Sequence, residues 1–315
     1  MLFFKTRKDL LFGLGMLALF LIGIGMIIAF TGWADTSASL AKLGWGEFGI
    51  LLILSLGNYG LRALRWHLFA RALGLAISLP RNAIIYLAGF ALTITPGRVG
   101  ELVRLRWIKR ETGTKILQSS PMMLGDRAAD LAGVAALLLI AALLGLGGAG
   151  GVYWVVALAL MLAFLATNPK FLSKLITLGW RSLGRGPRLF ASLRRAVRQL
   201  SLFATPRVIL PALTLSTFGW LLEGYSFYLL LGWLGVDIGF WMAVGIFLFS
   251  MLGGGATGLP GGLGGAEAVM VGLLALQGIP LEVSLPATII IRITTLWFAI
   301  LVGLIVFPLA ERKGA

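Results

Sequence analysis

Residues 93–110 read TITPGRVGELVRLRWIKR, and residues 259–267 read LPGGLGGAE. Both contain Pro-Gly-x-x-Gly followed shortly by Glu, and both interrupt long apolar sequence. Proline has no N–H to donate and its ring clashes with the preceding turn, so Pro96 and Pro260 each end or kink a helix. At membrane depth such a break survives only where protein or water satisfies the freed backbone. A helix restarting after the break presents free N–H groups and a positive dipole end, which suits an anion. In the first stretch Arg98 adds a cation that can fork onto phosphate oxygens, with Glu101 and Arg104 close behind.

Composition places these breaks in a membrane. The chain is 59% hydrophobic and 12% charged, where a soluble domain carries about 25% charged residues. Apolar runs at 10–31, 46–66, 120–146, 151–167, 208–234 and 283–308 reach or approach the roughly 20 residues that cross a bilayer. The first, flanked by Lys5, Arg7 and Lys8, exceeds the 7–15-residue core of a signal peptide and reads as a retained span. Residues 82–95 are too short to cross comfortably, and 238–279 are rich in glycine. The expected fold is therefore an all-α polytopic membrane protein, one integral domain over 1–315. It has about six full spans and two re-entrant helical hairpins broken at Pro-Gly.

The formal charge of +15 does not point to nucleic acid, because the basic residues fall between apolar spans. The chain has no cysteine, which removes disulfides, thiolate metal sites and cysteine nucleophiles. GGGATG at 253–258 matches a dinucleotide pattern but lacks the strand and βαβ context that gives the pattern meaning. No cofactor and no metal are expected. His67 reads as an interfacial residue rather than a ligand.

Cytoplasmic loops hold the excess of Lys and Arg. The N-terminus, 62–81, 104–115, 168–207 and Arg312-Lys313 are rich in them; 32–48, 145–151, 232–237 and 278–284 together hold only Lys42. The two sets alternate without conflict if both termini are cytoplasmic. Then 82–115 leaves and returns inside, while 238–282 leaves and returns outside. Each break follows a span with polar groups, Asn58 and Arg62 in one and Glu223 in the other. Each precedes a span carrying an arginine, Arg127 or Arg292. This is the pattern of an inverted repeat with discontinuous helices, with halves at about 46–146 and 208–308. Residues 168–207 carry nine Lys or Arg and no acid. Phe171, Leu175 and Leu178, then Leu189, Leu193, Val197 and Leu200, recur at helical spacing. They predict helices lying on the inner leaflet.

Only 12 residues are acidic, so their placement is informative. Glu101, Asp126, Asp130, Glu223 and Glu267 fall at or near membrane depth. An isolated charge there costs at least about 2.5–3.5 kcal/mol, so such groups pair or line a polar cavity. Asp126 and Asp130, four apart, share a helix face, with Arg127 expected to turn well away from them. Arg98, Arg127 and Arg292 are the expected partners. Gly261, Gly262, Gly264 and Gly265 let backbone or ligand approach closely. Tight packing along Gly254, Gly258 and Gly262 is the equal alternative. The candidate substrate-binding set is Arg98, Glu101, Asp126, Arg127, Asp130, Glu223, Gly261, Gly262, Glu267 and Arg292, with Pro96, Gly97 and Pro260 making the breaks.

NYGLRALRWHLFARALG (58–74), TPGRVGELVRLRWIKRETG (95–113), GDRAADL (125–131) and LPGGLGGAEAVMVGLLALQGI (259–279) together resemble the lysylphosphatidylglycerol synthase transmembrane-region family. The resemblance spans about 10–308. In the third motif the chain has Asp126-Arg127 where Glu-Arg is expected, which keeps the charge pattern. The family includes the flippase half of bacterial multiple-peptide-resistance factors and stand-alone proteins of hopanoid or glycolipid pathways. It implies a polytopic lipid translocase or a protein handling lipid-linked intermediates. Without an aminoacyl-transferase domain, this chain is not expected to make lysyl lipid itself.

The leading expectation is a lipid translocase, not an enzyme, taking an anionic or phosphate-bearing headgroup into a central polar cavity of the inner membrane. Arginines and a helix N-terminus would hold the phosphate; Glu101 and Glu267 would shape the cavity or carry protons. A glycosyl- or phospho-transferase on lipid-linked substrate, kept open by Asp126 and Asp130, is the alternative. A scaffold of a lipid-biosynthesis complex is another. A homo-oligomer or a biosynthetic enzyme fits as protein partner.

Overall fold

Helix is the only regular structure among the described residues, as backbone in hydrocarbon requires. The computed structural model describes residues 43–93, 95, 100–145, 150–183 and 187–312. The expected span at 10–31, the positions Pro96, Gly97 and Arg98, and Lys313 lie outside them.

The first described half opens with α1 (Trp45–Ala72). Next come α2 (Leu79–Ala88), continued as a 3-10 turn to Leu92, and α3 (Val103–Thr112). It closes with the short α4 (Ile116–Ser119) and α5 (Pro121–Leu144). The second half repeats this order: α9 (Pro206–Trp233), α10 (Phe240–Ala256), a 3-10 turn at Pro260–Gly262 and α11 (Gly265–Leu276). Its last span is α12 (Leu281–Arg292), a π-turn at Ile293–Trp297 and α13 (Phe298–Glu311). Between the halves lie α6 (Gly150–Thr167), α7 (Pro169–Leu183) and α8 (Pro187–Gln199).

Four helical stretches are long and apolar enough to cross a membrane: Trp45–Ala72, Ile116–Leu144, Pro206–Trp233 and Leu281–Glu311. A fifth arises if α6 and α7, bent by 68° around Asn168, count as one span. The segments Leu79–Leu92 and Phe240–Ala256 are apolar but short. Fourteen helical residues rise about 21 Å, well under the roughly 30 Å of hydrocarbon.

The most extensive helix contact joins α1 to α9. Each half's last span packs on the other half's short segment: α5 on α10, and α13 on α2. The second of these contacts is very close. A methyl group at Gly303 of α13 would collide with the backbone of Phe90 and Ala91. Phe227, Phe247, Leu231 and Met270 build one apolar core, and Trp66, Tyr86, Trp107 and Ile108 build another.

Two expectations are corrected. The basic stretch beginning at Arg62 is not a loop at its start, because α1 continues to Ala72 and buries both Arg62 and Arg65. Their charges are matched from α5, so no hydration is needed. In the linking segment, Val197 and Leu200 pack into the protein core rather than onto lipid. On α7, Leu175 and Leu178 stay outside, 47% and 57% exposed.

Candidate functional site

Asp126 and Asp130 stand one turn apart on α5 and face Arg62 and Arg65, which stand three apart on α1. Arg65 is fully buried. Its Nε and Nη2 donate to Asp126 Oδ1 at 3.1 and 2.6 Å, and its Nη1 donates to Asp130 Oδ1 at 2.8 Å. Nη1 also donates to the Ser216 hydroxyl of α9. Arg62 closes the set on Asp130 Oδ2 at 2.5 Å and lies over the Trp220 ring. Glu223, also buried, lies within electrostatic reach of Arg62 and Tyr59. Asn58 donates to the Gly219 carbonyl at 2.7 Å, tying α1 to α9 at the same level.

Beyond the first break, Glu101 is buried and receives three donors. Thr93 Oγ1 donates at 3.1 Å, Arg104 Nη1 at 2.9 Å and Arg127 Nη2 at 2.5 Å. Arg104 is fully buried, with its Nε on the Tyr86 carbonyl at 3.0 Å and its guanidinium 4.2 Å from the Tyr86 ring centroid. Gly89 makes that position possible, because any Cβ there would strike Arg104. Arg127 does not turn away from the aspartates: its Nη atoms lie 3.7 Å from both Asp126 and Asp130. The i,i+1 and i,i+3 spacings set the Cα directions, but a long side chain folding back along the helix can still reach. Arg127 is also the outlier in exposure. Its side chain is 34% exposed, against 10% or less for every other charged partner in this network.

The second break carries a smaller version. Arg292 Nε donates to Glu267 Oε1 at 2.6 Å, and its Nη2 donates to the Gly261 carbonyl at 2.8 Å. Glu267 is 22% exposed. Gly262, at φ +69°, rests on the backbone of Gly254, so this glycine serves close packing. Gly258 has positive φ beyond the end of α10, so 254, 258 and 262 do not form one helical ridge. A threonine hydroxyl next to each break accepts a backbone N–H: Thr95 from Gly100 at 2.7 Å, and Thr257 from Leu259 at 3.3 Å.

The two sites share some spacings. Arg127 and Arg292 each stand 11 positions after the start of their spans, Ile116 and Leu281. At 1.5 Å per residue that is about 16 Å, near the middle of a 30 Å core. Arg62 and Glu223 each stand 17 positions after the first residue of α1 and α9. In both halves the carboxylate after the break holds the arginine of the following span.

Of the candidate set, the structure brings Glu101, Asp126, Arg127 and Asp130 together, with Glu223 beside them, and gathers Gly261, Glu267 and Arg292 in a second cluster. Arg65 and Arg104 are central, although in sequence each lies in a basic flank. The signal that finds Arg65 is stoichiometric: two aspartates on one face need two bases on one face, and Arg62-x-x-Arg65 supplies that spacing. His67 Nδ1 meets the Asn82 amide at 3.3 Å, outside both clusters.

A family model described as the lysylphosphatidylglycerol synthase TM region matches residues 11–303. A UPF0104 membrane protein of Methanothermobacter thermautotrophicus is 25% identical over 319 aligned residues, 91% of either chain. A UPF0104 membrane protein of Methanocaldococcus jannaschii is 24% identical over 232 residues, covering 71% of this chain and 95% of its own. The motifs that suggested the resemblance lie within the matched region, and the chain belongs to the lysylphosphatidylglycerol synthase transmembrane-region family of membrane proteins.

Proposed function

We propose that the chain is a lipid translocase of the cytoplasmic membrane and that Arg127 meets the headgroup phosphate. The supporting observation is the redundancy of Arg127 in its ion network. When its guanidinium swings away from these carboxylates, Asp126 keeps Arg65, Asp130 keeps Arg62 and Arg65, and Glu101 keeps Arg104. Arg127 is thus a cation at mid-membrane depth that can be lent to a ligand without stranding a buried carboxylate. A planar guanidinium suits a phosphate diester, which presents two oxygens to its fork. Arg98, named on sequence grounds alone, is a second headgroup ligand in this reading.

The halves 46–146 and 208–308 are taken as an inverted repeat, supported by the matched spans, the matched ion pairs and the exchange of short segments. Rocking of one half against the other would then expose the cluster at Arg127 and that at Arg292 to opposite sides in turn. Glu267, partly exposed beside Arg292, is the acid placed to carry a proton in that exchange. The basic flanks put both termini in the cytoplasm. A transferase using Asp126 and Asp130 finds less support, because both carboxylates are engaged by guanidinium groups.

The test is reconstitution of the full chain alone into liposomes holding a headgroup-labelled fluorescent phospholipid, with an impermeant reductant added outside. Loss of fluorescence beyond the outer-leaflet share, with the recovered lipid chemically unchanged, is the expected result. A covalently modified lipid would establish the transferase instead, and inactivity matching empty liposomes would point to a scaffold.

A further inference from the structure

A second basic site lies away from the buried networks, at the end of the bundle where α3, α4 and α8 meet. It is a cleft of about 430 Å³. Lys109 comes from the last turn of α3, Lys115 from the residue before α4, and Arg195 from α8. The three cations come from separate elements, and among the described residues none of them makes an ion pair. The acid nearest in sequence is spent elsewhere: Glu111 pairs with Arg81 at 2.6 Å and lies 3.8 Å from Arg110. Ile116 and Leu117 line the remaining wall, and the Ile116 side chain is exposed. The cleft therefore offers uncompensated positive charge beside apolar surface.

Its depth adds the second constraint. Lys115 immediately precedes Ile116, where the membrane-crossing stretch Ile116–Leu144 begins. The cleft accordingly sits at the level of lipid headgroups, with the exposed Leu175 and Leu178 of neighbouring α7 marking a nearby apolar surface. Like charges gathered from three elements repel unless an anion is shared between them. An anionic ligand here would also tie α8, in the segment between the halves, to α3 and α4, which flank the buried network at Glu101 and Arg127.

We propose that this cleft binds the phosphate of an anionic phospholipid as a resident ligand, distinct from any lipid being translocated. The recognised chemistry is a phosphate diester; the lipid source is favoured over a free phosphate by the headgroup depth and the Ile116–Leu117 wall. The proposal does not depend on the translocase reading, since it concerns different residues and a binding measurement.

Native mass spectrometry of the full chain in neutral detergent, titrated with phosphatidylglycerol or phosphatidylcholine, tests it. Each Lys or Arg near an anionic lipid contributes about fivefold in affinity. Lys109→Gln/Lys115→Gln/Arg195→Gln should therefore weaken phosphatidylglycerol retention by about a hundredfold, and Arg195→Gln alone by about fivefold. Phosphatidylcholine should bind wild type no better than the triple variant. The charge-keeping Lys109→Arg/Lys115→Arg/Arg195→Lys should retain binding. Equal phosphatidylglycerol binding by wild type and both glutamine variants would overturn the proposal. Displacement of phosphatidylglycerol by millimolar inorganic phosphate would assign the cleft to a soluble anion and overturn the lipid assignment.

Discussion

Arg65→Ala is the substitution with the largest expected effect on folding, and its size follows from the hydrogen-bond network. The side chain is fully buried and ties α1 to two other helices, through Asp126 and Asp130 of α5 and the Ser216 hydroxyl of α9. Its removal takes both donors from Asp126 Oδ1 and leaves that carboxylate with Arg127 at 3.7 Å as its remaining ion-pair partner. Breaking a buried ion pair on one side costs about 3–5 kcal/mol, because the other charge stays buried. Asp126→Ala should cost a similar amount. Removing both takes away the stranded charge, so the double variant should fall short of the sum by about 1–3 kcal/mol. The assay is unfolding of the purified protein in mixed micelles titrated with SDS, followed by far-UV circular dichroism. If Arg65→Ala stays within about 0.5 kcal/mol of wild type, or the two substitutions are additive, the buried network is not what holds α1 to α5.

Further expectations follow from the same geometry. Arg127→Ala should cost about 1 kcal/mol or less in the same unfolding assay, since the pair is partly exposed and every carboxylate keeps another partner; a loss as large as that of Arg65→Ala would show Arg127 to be structural. Gly303→Ala should destabilise by about 1–3 kcal/mol through overpacking against Phe90 and Ala91, measured as a lowered unfolding midpoint, and an unchanged midpoint would deny the close contact of α13 with α2. The chain has no native cysteine, so a spin label at Leu178→Cys should be reached by lipid-soluble oxygen, while one at Val197→Cys should be shielded; the reverse order would contradict the packing of α7 and α8. A cysteine at Leu281 should react with an impermeant thiol reagent in intact cells and one at Ser201 only after permeabilisation, and labelling of Ser201 in intact cells would invert the orientation.

Much of this architecture is legible in the sequence because the bilayer imposes it. Apolar length located the described spans, and Pro260 marked where the second short segment turns. In both motifs the Glu that follows the Pro-Gly, Glu101 or Glu267, pairs with the arginine of the next span, Arg127 or Arg292. Arg65 and Arg104 were harder to place, because an arginine at a span's end looks the same whether it faces water or a carboxylate from another helix. Only the partner's position decides, and that is a tertiary fact: Asp126 lies 61 residues from Arg65. The stripe at Val197 and Leu200 failed for the same reason. Amphipathic spacing shows that a face is buried without saying whether lipid or protein buries it.

The central claim is that Arg127 can leave its carboxylates to hold a headgroup phosphate while the rest of the network keeps the fold. Its most direct test is lipid translocation per folded molecule in liposomes containing wild type, Arg127→Lys or Arg127→Ala, each normalised to its circular-dichroism signal. Lysine keeps the charge but loses the fork, so a many-fold slower rate is expected for Arg127→Lys and a slower one still for Arg127→Ala, with all three folded. Wild-type rates in both variants would contradict the claim and move the headgroup site to Arg98 or Arg292.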